Sequence, residues 1–480
     1  MPRVVVVGGG LAGITAALAI ADERDDADIT LLESRSQLGG RVTSITDPAS
    51  GIALDNCQHA CFRVYSRFLQ LIARSGAYAS IKLQSRTEIP FMQVGGGRIA
   101  ALRDGKLAPP NHMAGSLLTF PFLSFKDKLA MRKVIKELAG MSAEDMSSLD
   151  DQDFRSWLQA KGQSERAINR FWGYFVMAAL NTPVEQASAA LSAFLFQRGL
   201  FGDPHAFDVG AFTSDLSDSI HPDLHSALKQ AGVEIRLNTS ARGLRWQGTC
   251  TAVELADEVL ECDEVVLALP HHLCARILSS KEMPEQVQSV VDHATSLRYT
   301  ALIGIHALHS QQVLPDDFTF CVCVDEPVIQ MLFNRSAEVD PGNMPVGITQ
   351  WVSIPVSAAG PWLDWKEEKF LTEYTRVMKS TFPERWEEPE VFKVIKSKKA
   401  TFAATPGSAK HRVSQDTIRD LGVHIAGSWT DTGWPSTMES AVRSGLLAAA
   451  SLLAIDWDAD DEWRRWPRPP ERGDEQWRSW

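Results

Sequence analysis

The fold of this chain is decided by residues 4–13, which read VVVVGGGLAG. Four consecutive valines predict a short buried strand, and the Ala- and Leu-rich residues 11–22 predict a helix that packs on it. Residues 29–32 (ITLL) predict a second strand. Together these elements form a βαβ unit of about 30 residues, the size that dinucleotide-binding folds use.

The turn between the first strand and the helix has the spacing G-x-G-x-x-G at Gly8, Gly10 and Gly13. Gly8 permits the tight turn, Gly10 lets the backbone approach a pyrophosphate, and Gly13 allows the helix to pack closely on the strand. The helix N-terminus adds free N–H groups and a positive dipole. Glu33 lies 20 residues after Gly13, where a carboxylate accepts hydrogen bonds from ribose hydroxyls. The combination predicts a dinucleotide site rather than a coincidental glycine-rich turn.

A second glycine turn, Gly39-Gly40-Arg41, follows Glu33. Another close backbone approach followed by a cation suits the same pyrophosphate, and simple NAD dehydrogenases do not need it. Residues 31–41 resemble the flavoprotein superfamily that includes amine oxidases and carotenoid desaturases, and residues 426–441 resemble its C-terminal flavin motif. The resemblance implies FAD as the cofactor, with a helix N-terminus near Thr437 facing the flavin or the pyrophosphate.

One position of the C-terminal motif departs from the superfamily. The family commonly has Gly-Asp at the start of the motif, whereas Ser428 follows Gly427 here. Asp431 is the candidate replacement for the missing ribityl-binding carboxylate. The residues that we predict to bind FAD are Gly8, Gly10, Leu11, Ala12, Gly13, Glu33, Ser34, Arg35, Gly39, Gly40, Arg41, Asn56, Gln58, Ala241, Gly427, Ser428, Asp431, Pro435, Ser436 and Thr437.

The α/β pattern is interrupted twice, so we expect an α/β fold whose Rossmann-like FAD-binding domain is discontinuous. The expected domain is glutathione-reductase-like, of the amine oxidase type, and carries an inserted α+β substrate domain. The FAD-binding domain comprises residues 1–60, 210–275 and 418–454, and the substrate domain comprises residues 61–209 and 276–417. Residues 455–480 form a Trp-rich tail, which either folds back over the body or anchors the chain at a membrane interface.

Three stretches narrow the resemblance to the hydroxysqualene dehydroxylase family. Residues 55–59 (DNCQH) resemble an Asp-Asn-Gly-Gln-His stretch of that family, and residues 179–189 and 429–445 resemble two more. The chief departure is Cys57, which stands where the family has glycine. If that glycine lets the backbone approach the flavin, the Cβ of Cys57 costs space there.

The reaction that this resemblance implies removes the hydroxyl of a thirty-carbon polyisoprenoid alcohol and gives squalene. A proton must help the hydroxyl to leave, and reduced flavin supplies a hydride. Asp55 and His59 are the candidate catalytic acids; the alternative is that both only hydrogen-bond the backbone and the cofactor. His271 and His272 either line the site or cap a turn. A set of middle-domain side chains provides either a helical core or a substrate tunnel: Phe120, Phe122, Phe125, Phe171, Trp172, Tyr174, Phe175, Met177, Phe194 and Phe196.

Composition excludes several other classes of protein. A net charge of −12 argues against a nucleic-acid partner. Seven cysteines without a repeating frame predict reduced thiols in a cytoplasmic protein, and Cys57 and Cys61 lack a second pair at zinc spacing, so no metal site is expected. No apolar run reaches the length of a membrane span, roughly 18 residues. Peripheral contact with the cytoplasmic face of a membrane and with squalene-synthase-like enzymes remains compatible with the sequence.

Three alternatives stay open at this point. A carotenoid or phytoene-type desaturase would use the flavin in the oxidising direction on a similar substrate. An amine oxidase would need aromatic residues beside the flavin, for which Trp429 and Trp434 are candidates. A non-enzymatic alternative is a flavin-binding scaffold of a squalene-synthesising complex.

Overall fold

The computed structural model describes residues 1–96, 99–280, 282–474 and 476–479 of the chain. The strands in this part of the chain are β1 Arg3–Val7, β2 Asp28–Leu32, β3 Ser44–Thr46, β4 Ala53–Asp55, β5 Cys61–Phe62, β6 Ile81–Leu83, β7 Glu88–Gln93, β8 Ile99–Arg103, β9 Val209–Phe212, β10 Glu234–Arg236, β11 Gly243–Gln247, β12 Thr249–Glu254, β13 Val259–Glu261, β14 Glu264–Ala268, β15 Tyr299–His309, β16 Phe320–Val324, β17 Met331–Asn334, β18 Gln350–Val356, β19 Val391–Phe402, β20 Val423–Ala426 and β21 Arg478–Ser479. The α-helices are α1 Leu11–Glu23, α2 Ser66–Ser75, α3 Ala114–Thr119, α4 Phe125–Ala139, α5 Ala143–Ser147, α6 Phe154–Ala160, α7 Glu165–Ala167, α8 Gly173–Leu180, α9 Ala189–Leu195, α10 Leu216–Gln230, α11 His271–Leu278, α12 Glu285–Ser296, α13 Arg335–Glu338, α14 Glu367–Thr381 and α15 Met438–Leu453.

The structure is built around two large sheets, and we call the part around each sheet a body. A five-stranded parallel sheet in the order β10-β2-β1-β14-β20 forms the centre of the first body. Its strands come from all three segments that the sequence predicted for the FAD-binding domain. The side chains of Val4–Val7 are buried because neighbouring strands flank β1 and helices cover its faces. The arrangement confirms the predicted α/β class with a Rossmann-like domain. The predicted boundary at residue 210 falls within β9, which belongs to a small separate sheet in the order β21-β6-β9-β5.

A seven-stranded mixed sheet in the order β19-β15-β18-β17-β16-β7-β8 forms the centre of the second body. The strand β7 lies parallel to β16, with Phe91 opposite Val322, so the two sequence insertions share one sheet. Helices α3 to α9 of the first insertion bury an aromatic core that includes Phe154, Trp172 and Phe196. These residues form a packed interior in which rings meet edge to face or stacked.

The Trp-rich tail packs back onto the body. The side chains of Trp463, Trp466 and Trp477 are buried, and β21 pairs with β6. Arg472 forms ion pairs with Asp104 and with the buried Asp208. Trp480 lies outside the described residues. Within the described part of the chain, no helix is long and apolar enough to cross a membrane.

Candidate FAD and substrate site

The first glycine turn connects β1 to α1, and its glycines have different functions. A Cβ on Gly13 would lie 1.9 Å from the carbonyl oxygen of Gly8, so only glycine lets α1 pack this closely on the turn. A Cβ on Gly10 would meet only the Cα of Gly40, at 3.7 Å. Gly10 therefore faces open space in the cavity, where its backbone is accessible to a phosphate group.

Glu33 lies at the end of β2 beside this turn. Its carboxylate accepts hydrogen bonds from the backbone N–H of Gly9 at 2.8 Å and of Arg35 at 2.9 Å. The hydroxyl of Ser34 donates to the same carboxylate at 3.1 Å. These three donors fix the orientation of the carboxylate at the wall of the cavity.

The second glycine turn lies against the first. The backbone N–H of Gly39 donates to the carbonyl of Gly9 at 2.8 Å, and Arg35 donates to the carbonyl of Gly40 at 3.0 Å. Arg41 extends from this turn and donates to the carbonyl of Ala400 at 2.5 Å and to Oγ of Ser428 at 2.9 Å. A single guanidinium thus ties the N-terminal turn to β19 and to the C-terminal motif.

The C-terminal motif is held by groups that the sequence motifs did not reveal. Buried Arg412 donates to the carbonyls of Trp429, Thr430 and Trp434 at 3.3, 2.7 and 2.6 Å. Burial lowers the pKa of Arg412 to about 10. The hydroxyl of Thr437 caps α15 by accepting from the N–H of Ser440. Arg412 lies outside every motif, so only its contacts in the fold identify it.

One cavity of about 940 Å³ joins these elements. Most residues that the sequence predicted for the cofactor line it, namely Gly8, Gly10, Leu11, Ala12, Glu33, Ser34, Arg35, Gly39, Gly40, Arg41, Asn56, Gln58, Ala241, Gly427, Ser428, Ser436 and Thr437. Gly13, Asp431 and Pro435 do not line it. The buried Oδ1 of Asn56 and Oε1 of Gln58 have no hydrogen-bond partner among the described residues. Unpaired polar atoms beside an open glycine turn fit a bound dinucleotide.

Asp431 does not take the place of the missing carboxylate at position 428. Its side chain is exposed to solvent and accepts a hydrogen bond from the N–H of Gly433 at 3.2 Å. Ser428 itself lines the cavity, and its hydroxyl lies 2.8 Å from the hydroxyl of Ser436. At this end the cavity therefore presents neutral hydroxyls instead of a carboxylate.

Asp55 does not line the cavity. Its carboxylate accepts from the hydroxyl of Ser44 at 2.9 Å and from the N–H of Leu216 at 2.8 Å, and it pairs with buried Arg335 at 3.3 Å. These partners engage both carboxylate oxygens and Asp55 is buried, so the geometry gives Asp55 a structural position instead of access to a substrate.

His59 lines the cavity. Its Nδ1 lies 2.9 Å from the carbonyl oxygen of Cys57, so the neutral ring must carry its proton on Nδ1. Burial lowers the pKa of His59. Near neutral pH the ring therefore presents an acceptor at Nε2, and it can donate a proton from Nε2 only under more acidic conditions.

The backbone of Cys57 lies against a glycine of a neighbouring strand. Its Sγ donates to the carbonyl of Ile303 at 3.8 Å, and a Cβ on Gly304 would lie 2.8 Å from the Cα of Cys57. Burial raises the pKa of the thiol to about 12, so it stays protonated. Gly304 thus lets the backbone of residues 56 and 57 lie close against β15, whichever residue stands at position 57, and Cys57 itself lines the cavity.

The other end of the cavity is apolar and lies between the mixed sheet and α8. It is lined by Ile89, Phe91, Tyr174, Phe175, Met177, Phe207, Phe320, Val322, Met331 and Phe333. Of the aromatic set that the sequence offered for a tunnel, Tyr174, Phe175 and Met177 face the cavity. Phe125 is exposed at the surface, and the others do not line the cavity. The sequence did not identify Phe320 and Phe333 as cavity residues, because apolar residues that alternate along a strand are equally expected in the core of a sheet.

Four further candidate residues also lie outside the cavity lining. His271 is buried, with its Nδ1 2.8 Å from the carbonyl of Ala294, and burial lowers its pKa to about 4. The Nδ1 of His272 lies 2.6 Å from the hydroxyl of Tyr299. Trp429 and Trp434 are buried and do not form an aromatic wall beside the cavity. No cluster of three metal-ligating side chains occurs in the described ranges.

The parallel sheet, the paired glycine turns and the returning C-terminal helix define an FAD-dependent oxidoreductase. The model of the family described as "Flavin containing amine oxidoreductase" matches residues 11–453, and the chain belongs to this family. FAD supplies the redox chemistry in such proteins.

Relatives and solved structures are similar to the chain over most of its length. The chain is 24% identical over 458 residues to the hydroxysqualene dehydroxylase of Zymomonas mobilis, covering 94% of this chain and 98% of the relative. It is 22% identical over 489 residues to the zeta-carotene desaturase of Synechocystis, covering 94% and 97%. Its fold is similar to that of putrescine oxidase, with a TM-score of 0.71, 18% identity and coverage of 94% and 99%.

Proposed function

We propose that the chain uses FAD to remove the hydroxyl of hydroxysqualene and so produces squalene. The observation that carries the proposal is the cavity itself, whose nucleotide end continues into an end lined by aromatic and aliphatic side chains. A long hydrocarbon gains free energy by leaving water for such a surface. Relatives named hydroxysqualene dehydroxylase, which span nearly the whole chain, support this substrate.

The reaction breaks one C–O bond, releases the oxygen as water and replaces it with hydrogen. Reduced FAD supplies the hydride, and a proton must reach the leaving oxygen. We assign Tyr174 as the donor of this proton. Tyr174 lines the cavity, and its hydroxyl accepts from the N–H of Asp325 at 2.5 Å, a bond that does not use the hydroxyl hydrogen. Burial raises the pKa of Tyr174 to about 12, so the phenol stays protonated across the neutral range.

The test is a single turnover without oxygen. FAD-loaded protein is reduced chemically, freed of excess reductant and mixed with hydroxysqualene. We expect the absorbance of oxidised flavin to return and one squalene to form per flavin, identified by gas chromatography and mass spectrometry. Squalene in place of the alcohol is the matched control and should leave the flavin reduced. Flavin that stays reduced with the alcohol would overturn the proposal.

A second candidate is a desaturase of long polyenes, which the named zeta-carotene desaturases favour because they match the chain over a similar length. This activity runs in the opposite direction: a polyene would bleach the oxidised flavin under the same anaerobic conditions. An amine oxidase loses support because Trp429 and Trp434 do not reach the cavity. A non-enzymatic scaffold, including one bound to squalene-synthase-like enzymes, would respond to none of these substrates.

A further inference from the structure

One surface of the second body exposes large apolar side chains close together. Leu118 on α3 and Phe125 and Leu129 on α4 are 61, 73 and 60% exposed. The ammonium of Lys128 on α4 donates to the carbonyl of Leu118 at 2.7 Å, so the two helices are joined at this point. We call these three apolar residues, together with the α4 cations Lys126, Arg132, Lys133 and Lys136, the α3–α4 surface. Clustered apolar side chains at a surface commonly mark an interaction site.

The helix α4 separates its two faces sharply. Its inner face buries Asp127, Met131, Val134 and Leu138 at helical spacing. A capping box fixes its first turn: Asp127 accepts from the N–H of Ser124 at 2.8 Å, and the N–H of Asp127 donates back to the hydroxyl of Ser124. The outer face carries, at the complementary spacing of three and four residues, Phe125, Leu129, Arg132, Lys133 and Lys136. Aromatic, aliphatic and basic side chains thus share one rigid outer face.

The region around α3 and α4 is positively charged, although the whole protein is negative. Residues 99–140 hold seven Lys and Arg against three Asp and Glu, whereas the chain carries a net charge of −12. Within the described ranges, the side chains of Lys126, Arg132, Lys133 and Lys136 make no ion pair. Of the three acids, Asp127 is buried and Asp104 pairs with Arg472. The exposed charge beside Phe125 and Leu129 is therefore positive.

The same region adjoins the apolar end of the cavity. The rings of Phe120 and Phe122 are 5.2 Å apart and lie just before α4 in the chain. Phe120 meets Phe91 edge to face at 5.0 Å, and Phe91 lines the cavity. Buried aromatic rings thus run from the segment between α3 and α4 to the cavity.

We infer that the α3–α4 surface docks on an anionic lipid bilayer, with Phe125, Leu129 and Leu118 entering the interface and the cations facing the lipid headgroups. An amphipathic helix that combines exposed aromatic and aliphatic residues with unpaired cations is the chemistry that such an interface binds. Three tryptophans of the tail, Trp463, Trp466 and Trp477, are buried in the body and are not available to enter a bilayer. The docking is independent of the identity of the substrate.

The test measures co-sedimentation of the FAD-loaded protein with vesicles of phosphatidylcholine alone and of phosphatidylcholine mixed with phosphatidylglycerol. We expect binding to the mixed vesicles that weakens as salt is raised. The double variant Arg132→Gln/Lys133→Gln should lower this binding about twentyfold, because each basic residue near an anionic surface contributes roughly fivefold. The double variant Phe125→Ser/Leu129→Ser should lower binding to about one tenth or less, since it removes the inserted side chains.

Two exposed residues elsewhere provide matched controls. Val346→Ser removes an exposed aliphatic side chain, and Lys229→Glu reverses an exposed charge, and both should bind the mixed vesicles like the unchanged protein. All variants should keep their flavin content, since none of these residues lines the cavity. Failure of the unchanged protein to bind the mixed vesicles, or equal losses in the control and surface variants, would overturn the inference. An acidic protein partner would then be the remaining occupant of this surface.

Discussion

At the end of the cavity beside the parallel sheet, backbone turns and short side chains form the wall, with Gly10 open to the cavity and Glu33 held by backbone N–H groups. At the other end, rings such as Phe91 and Phe175 form the wall, supplied by β7 and α8. The two glycine turns of the first end are set by spacing within a few residues, although residues 427–437 complete this end from far along the chain. The second depends on which faces of a helix and a sheet meet across long sequence separations.

This difference teaches how each end tolerates change. A turn that packs backbone on backbone has no side chain that can move aside, so one added methyl group disrupts it. An apolar wall of many rings repacks around a substitution and changes its affinity by degrees. The nucleotide end should therefore fail abruptly when it is mutated, and the apolar end gradually.

The largest effect is expected for Gly13→Ala. The new Cβ would lie 1.9 Å from the backbone oxygen of Gly8, and neither α1 nor the turn can move without disturbing the sheet. We expect a loss of stability of more than about 3 kcal/mol and no bound FAD. Thermal unfolding and the ratio of flavin to protein absorbance measure the two effects.

Gly10→Ala is the matched control for this prediction. Its Cβ would meet only Gly40, at 3.7 Å, so the protein should fold with unchanged stability in the absence of FAD. The methyl group would still enter the space of the pyrophosphate and weaken FAD binding by at least about tenfold, or 1.4 kcal/mol. Normal FAD binding by Gly10→Ala would show that the dinucleotide does not approach this turn.

The second prediction decides which end of the cavity supplies the proton. Tyr174→Phe should lower kcat about 100-fold, a modest general-acid contribution, while flavin content stays unchanged. Because the pKa of Tyr174 is raised to about 12, kcat of the unchanged protein should be flat between about pH 6 and pH 9. His59, whose pKa burial lowers, would instead make kcat rise as pH falls below its ordinary value of 6.5. A kcat that rises in acid and is lost in His59→Gln would transfer the role to His59.

The contrast between the two ends also explains what the sequence could predict. Local spacing predicted the turns at Gly8–Gly13 and Gly39–Arg41 and the position of Glu33, because a turn is determined by neighbouring residues. Placing FAD between distant segments required the resemblance of residues 426–441. Nothing local shows that Asp55 turns towards Arg335, or that Arg412 holds the C-terminal loop, because each contact joins residues far apart in the chain. The ambiguity at Phe171 and Phe175 has the same origin, since both are apolar helical residues and only the fold shows that Phe175 faces the cavity.

The third prediction concerns Glu33 and is intermediate in size. In Glu33→Gln the side chain keeps one acceptor for the N–H of Gly9 or Arg35 but loses its charge and the second acceptor oxygen. We expect FAD to bind about thirtyfold more weakly, the effect of roughly 2 kcal/mol from hydrogen bonds to a charged group. Titration of the apoprotein with FAD, followed by flavin fluorescence, measures the change. Ser34→Ala removes only a neutral donor to the same carboxylate and should have a much smaller effect.

The smallest effect is expected at Cys57, which lines the cavity. Cys57→Gly removes a buried thiol that contacts the carbonyl of Ile303 and should cost about 1 kcal/mol of stability. FAD affinity and turnover should stay unchanged, because Cys57 is buried and its Sγ is engaged with the carbonyl of Ile303. Gly304→Ala tests how closely the loop of residues 56–59 must lie against β15: its Cβ would lie 2.8 Å from the Cα of Cys57 and 2.9 Å from the carbonyl of Asn56, so it should displace the loop and lower FAD affinity. Tighter FAD binding by Cys57→Gly would instead show that the cysteine obstructs the cofactor. The loop of residues 56–59 would then resemble the glycine turns, where a side chain interferes with binding.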